Sequence, residues 1–148
     1  MNTPVSEFER DSAEPEQQTF SEGYESVWRA VQLAVAEYPI KISNQDSGIL
    51  ETEFIKGDQG WKKPGQARPP SGGRRYKINI RVFKAQGQEE TRVVVAKYAD
   101  VKKNFFSEVK TLPSDGLEEL SIMYRIEREL NIEKARRTNN QDDSLDID

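Results

Sequence analysis

Apolar residues recur at intervals of three and four between Ser21 and Tyr38: Tyr24, Val27, Trp28, Val31, Ala34, Val35 and Tyr38. This is the helical period. It predicts an amphipathic helix over these residues, with Ser21 as the N-cap. Pro39 closes it, because the residue before a proline avoids the α region. Just upstream, "QTF" reads as a short edge strand.

The period then changes to two. "IKIS" and "ILETEFI", joined by the turn formers of "NQDSG", predict a β-hairpin. Ile40 and Ile42 are expected on one face of its first strand. Leu50, Thr52 and Phe54 are expected on one face of the second, with Glu51 and Glu53 opposite. "RRYKINIRVFKA" alternates next, with Tyr76, Ile78, Ile80 and Val82 inward and Arg75, Lys77, Asn79 and Arg81 outward. After "QGQEE", "TRVVVAKYADV" supplies its partner. There Val93 and Val95 compete with Val94, Ala96 and Tyr98 for the core face.

A second helix follows in "LPSDGLEELSIMYRIERELNIEKARR". Ser114 is its predicted N-cap, and Leu117, Leu120, Met123, Ile126 and Leu130 form the buried stripe. Taken together, the elements predict an α+β domain of order (β)αββββα. An antiparallel sheet of four to five strands has two helices packed on one face. The other face is then polar, with Glu51 and Glu53 near Arg75, Lys77 and Arg81.

Composition sets the boundaries. Of 148 residues, 34% are apolar and 32% charged; an average globular chain has roughly 45–50% and 25%. The two ends account for the difference. Residues 1–17 are acidic with little to bury, as are residues 137–148, and both are expected to be disordered. One domain, 18–136, lies between them. The net charge is −4, yet the ends carry the negative charge and the middle is basic. Between Lys56 and Lys84 the only acid is Asp58.

The chain has no cysteine and no histidine, which excludes disulfides, thiolate nucleophiles and Cys/His metal sites. No cofactor is expected. There is no catalytic constellation either. Glu51 and Glu53, about 7 Å apart along a strand, approach the spacing of a glycosidase pair, but Glu beside Arg on an exposed sheet face is ordinary surface. The N-terminus lacks a basic region followed by an apolar one, so no signal peptide is expected there.

The stretch "YESVWRAVQLAVAEYPIKISNQDSGILETEFI" resembles the helix-grip domain of BamC/NlpB-type outer-membrane assembly lipoproteins. Such domains open with a helix centred on "VW.A", then a strand, a short polar turn ending in Gly, and an "I..T.F" strand. Trp28, Gly48, Leu50 and Thr52 occupy those places. The likeness extends over about residues 18–134, one helix, two hairpins and a closing helix. Family members carry two such domains and a lipid-bearing cysteine; this chain has room for one domain and lacks the cysteine. The resemblance implies a non-catalytic protein-interaction module on the periplasmic side of the outer membrane. Its partners would be other envelope or outer-membrane proteins, with membrane contact only through a lipid anchor that this chain does not contain.

The loop "GDQGWKKPGQARPPSGGRRYK", residues 57–77, is the candidate binding segment. Its glycines do not have phosphate-loop spacing. Trp61, Lys62, Lys63, Arg68, Arg74, Arg75 and Lys77 combine a stacking group with cations. They suit an anionic membrane surface or an acidic protein partner first. A nucleic-acid-binding domain using this loop is the alternative, followed by a carrier of a small apolar ligand. A connection of this length is expected to be mobile and to order on a partner. No metal is expected to take part. Trp28, on an apolar helix face, is assigned to the core.

Overall fold

A computed structural model describes residues 14–67, 72–85, 89–102 and 108–145, with side chains through residue 141. In chain order the elements are β1 (Glu16–Phe20), α1 (Tyr24–Ala34), β2 (Ile40–Asn44), β3 (Ile49–Thr52), β4 (Ile55–Lys56), β5 (Arg74–Lys84), β6 (Thr91–Val101), β7 (Lys110–Leu112) and α2 (Leu117–Leu145). The fold is α+β, and every strand pairing is antiparallel. The seven strands form one sheet of order β1-β6-β5-β3-β2, with β4 on β5 and β7 on β6. Because β5 occupies one edge of β6 throughout, β1 and β7 share the other edge end to end. Likewise β3 and β4 share one edge of β5. The seven strands thus fill five ranks, and the excess over the expected four to five comes from the short segments β4 and β7.

Both helices cover one face. Val27, Trp28 and Val31 of α1 and Ile122, Met123 and Ile126 of α2 are buried over Ile78, Ile80, Val82, Val93 and Val95 of the central strands. Trp28 is 3% exposed, as its core assignment expects. The β5 alternation holds throughout, and on β6 Val93 and Val95 win the core face.

Several local expectations need correcting. α1 begins at Tyr24 behind Gly23, which caps it without a side-chain bond, so Ser21 is not the N-cap. The helix at α2 starts later than Ser114. Asp115 accepts the Leu117 N–H at 3.0 Å, and Ser114 Oγ accepts the Gly116 N–H at 3.1 Å. Met123, Ile126 and Leu130 of the expected α2 stripe are buried, but its first turns differ. Leu120 is 53% exposed, while Glu118, Glu119 and Ile122 are buried. A bulge between Ile40 and Ile42 puts Ile40 opposite Thr52 and Ile42 opposite Glu51, so the two isoleucines lie on different faces. Phe54 also leaves the face of Leu50 and Thr52. The strand breaks at Glu53, whose N–H bonds to the Pro39 carbonyl, and Thr52 Oγ1 takes the Ile78 N–H at 3.0 Å in place of a ladder carbonyl.

The acidic ends are more ordered than composition suggests where they are described. Glu16 and Gln17 belong to β1, and α2 runs through 137–145. Beyond Glu133 the described side chains of α2 are exposed. Composition registers missing burial, and a solvent-exposed helix extension has none to register. Residues 1–13 and 146–148 lie outside the described residues.

Gly48 explains the turn between β2 and β3. Its φ is +70°, and a Cβ there would overlap the Val82 carbonyl oxygen. The Val82 N–H bonds back to Gly48 O at 2.8 Å. Only glycine lets the turn lie this close to β5.

Candidate functional site

The basic loop folds back on the sheet before it leaves the described residues. The Gly57 N–H bonds to Arg74 O and the Gln59 N–H to Lys56 O, each at 2.9 Å. This brings Gly60 against the Tyr76 hydroxyl so closely that a Cβ would overlap it. The Trp61 N–H then donates to Tyr76 Oη at 2.9 Å. Trp61 is half-buried as a result, whereas Lys62 and Lys63 are exposed. Arg68 lies outside the described residues.

The remaining cations of the loop separate by face. Arg74 is exposed at the start of β5. Arg75 turns to the uncovered face, stacks 3.7 Å from the Phe54 ring centre and pairs with Asp100 at 2.9 Å. Lys77, next on that face, pairs with Glu51 at 2.7 Å and also faces the Phe54 ring. Glu51 therefore belongs to a cross-strand ion pair, and Glu53 stands at the break between β3 and β4. Tyr98 and Val109 lie beside Phe54, and the three line a shallow groove with Glu51, Lys77 and Asp100 on its rim. Each of the three is more than two-fifths exposed.

Under the covered face, polar groups meet that the alternation of the strands did not predict. Lys97 lies on the inward side of β6, opposite Ile78. Its Nζ is 3.2 Å from Glu118 Oε1 and 4.4 Å from the Tyr76 ring centre. Glu118 Oε2 accepts the Tyr38 hydroxyl at 2.6 Å and the Tyr76 hydroxyl at 3.1 Å. Burial, followed by the Glu118 carboxylate, holds the Tyr38 phenol far above its ordinary value of 10. Glu119, also buried, accepts a hydrogen bond from Ser114 Oγ at 2.7 Å, and among the described residues its other oxygen has no hydrogen-bond partner. A buried carboxylate with an ammonium and two phenols around it is a satisfied charge. It ties β5, β6, α2 and the segment after α1 together at one end of the sheet.

No family model matches the chain, and no curated protein matches it.

Two clefts flank Trp61, and Tyr76 walls both. One, of about 280 Å³, runs from Trp61 past Arg74 and Lys97 to Ser114 and Asp115. The other, an open cleft of about 220 Å³, is lined by Tyr38, Pro39, Ile55, Trp61 and Tyr76, with Arg125 and Glu37 at its edge. Trp61, Arg74 and Arg75 thus come together around one end of the sheet, with Lys77 beyond them on the uncovered face. The sequence carried one signal for the buried network: a lysine in the inward series Val93, Val95, Lys97, Ala99. Among the described residues there is no group of three or more carboxylates able to hold a metal, and no helix is long and apolar enough to cross a membrane.

Proposed function

We propose that the chain is a non-catalytic protein-interaction module of the bacterial cell envelope, with a BamC-like accessory role in outer-membrane protein assembly on the periplasmic side. The observation that carries this reading is the groove of Phe54, Tyr98 and Val109 on the uncovered face of the sheet. Exposed aromatic and aliphatic groups within a polar rim are what protein partners bury. The rim charges are paired within the chain, Arg75 with Asp100 and Lys77 with Glu51. A polyanion gains affinity by meeting unpaired cations, so these pairings leave the groove itself suited to a protein partner. The resemblance of residues 24–55 to the BamC-type domain supplies the compartment.

A photo-crosslinking residue at Tyr98, in full-length protein added to bacterial envelope extracts, tests this. A discrete crosslinked envelope protein is expected at Tyr98 and none at the exposed Leu33 of α1. Equal crosslinking at both positions counts against the groove. Micromolar or tighter binding to single-stranded or duplex nucleic acid at about 0.15 M salt, where screening is strong, would replace this reading with the nucleic-acid one.

A further inference from the structure

The 220 Å³ cleft on the helix side is independent of the groove just described, which lies on the opposite face. Its walls are aromatic and aliphatic, and its edge carries Arg125 of α2. Arg125 is half-buried, and among the described residues its guanidinium makes no hydrogen bond and no ion pair. The carboxylates around it are otherwise placed. Glu118 is taken by Lys97 and the two phenols. Glu129, one turn further along α2, does not pair with it. Glu37 is exposed at the cleft edge and stays beyond ion-pair distance. A guanidinium that loses part of its hydration normally finds an anion. Here the missing anion would come from outside.

We propose that this cleft binds a small carboxylate carried on a single ring, with Arg125 receiving the carboxylate and the ring lying against Trp61 and Tyr76. The planar fork of a guanidinium matches the two oxygens of a carboxylate. The volume decides the size of the rest. At about 220 Å³ it lies below the roughly 300–1,000 Å³ of pockets that bury larger ligands, so the part of the ligand seated in it is about one ring. Tyr38 adds no competing charge, because its phenol stays protonated with its hydrogen committed to Glu118. Trp61 serves as a wall between the two clefts. Its main chain is fixed to Tyr76, while its indole separates this cleft from the neighbouring one.

The test is a titration of full-length protein with phenylacetate, followed by amide-resolved NMR. Phenylacetamide, with the same ring and no charge, and acetate, with the charge and no ring, are the controls. Phenylacetate at millimolar concentration is expected to shift the Gly60 and Trp61 amides and the Trp61 indole resonance saturably, leaving that of the buried Trp28 in place. Both controls should bind at least about tenfold more weakly, the loss expected when one charge-assisted contact is removed. Arg125→Gln should weaken phenylacetate by a similar factor and Arg125→Lys by less, with the rest of the spectrum unchanged. Trp61→Ala should weaken phenylacetate and phenylacetamide alike. The proposal is overturned if phenylacetate produces no saturable shift at Gly60 and Trp61. It is equally overturned if Arg125→Gln, still folded, binds phenylacetate as tightly as the parent.

Discussion

Lys97 of β6 and Glu118 in the first turn of α2 face each other at 3.2 Å beneath the helices, one side chain 18% exposed and the other 1%. The contact is an ion pair without hydrogen-bond geometry, since the hydrogen bonds to Glu118 reach its other oxygen from Tyr38 and Tyr76. Lys97 therefore neutralises a charge that the two phenols hold in place.

Removing the cation alone should be costly. Lys97→Met leaves Glu118 buried and uncompensated, and an expected loss of about 3 kcal/mol lies at the lower end for a broken buried pair because Lys97 keeps some contact with water. Lys97→Met combined with Glu118→Gln should recover part of that loss, since the amide retains an oxygen for the phenols. Urea unfolding of the single variants and the double variant measures both effects. A Lys97→Met loss below about 1 kcal/mol would mean that the pair behaves as a surface one.

Gly48→Ala should destabilise by about 2–3 kcal/mol or more. It combines a left-handed backbone with a Cβ that overlaps the Val82 carbonyl, and strained backbone alone costs about 1–3 kcal/mol. Gly23→Ala is the control, because a Cβ there meets nothing within 4 Å. Thermal unfolding of both variants should separate them clearly.

Alkaline pH should unfold the protein early. The Tyr38 phenol is raised by burial and by Glu118 above its ordinary value of 10, and Tyr24 is raised by burial and Asp46. The native state then keeps protons that the unfolded chain releases as pH passes 10. The contribution of these groups to stability is complete below that value and declines above it. Tyr38→Phe should flatten the decline while lowering stability near neutrality through the lost bond to Glu118. Unfolding free energies across the alkaline range, with phenolate absorbance of the native protein, check both. A native Tyr38 that titrates at its ordinary value would show that burial and Glu118 do not hold its proton.

Trp28→Ala should act on folding. The indole is buried among the core residues of both helices and the sheet, and truncating such a side chain costs about 3–5 kcal/mol. A variant that keeps its melting temperature would show that the indole is not part of the core.

The layers of the fold were legible because period-two and period-3.6 patterns report which face meets the core. Val27, Trp28, Ile78, Ile80 and Val93 fall where those patterns put them. The pattern failed where a polar residue took a core position. Leu120 fits the apolar stripe of α2 by spacing, yet it is exposed while Glu118 turns inward to Lys97, and apolar letters cannot register an ion pair formed 21 residues apart in sequence. Ile42 and Phe54 depart from their expected faces for another reason. One bulge and one strand break each reverse the facing of the residues beyond them, and neither leaves a mark in composition. In the candidate site, the loop residues were legible as a group of cations. Their division between two faces, and the seating of Trp61 on Tyr76, depend on the β5 register.

The arrangement of β1 and β7 along one edge of β6 has a kinetic consequence. β5 and β6 are close in sequence and pair over eleven consecutive positions, from Arg74↔Val101 to Lys84↔Thr91. β1 joins the same strand from the far end of the chain, with Glu16 opposite Val95. Closing that long loop carries a larger entropic cost than closing the hairpin, and such distant pairings are the slow ones. The hairpin therefore forms a template first and β1 docks late. In native-state hydrogen exchange, the amides of residues 16–20 should open at lower free energy than those of Ile78 and Ile80, with the outer edge of the sheet breathing while its centre stays closed.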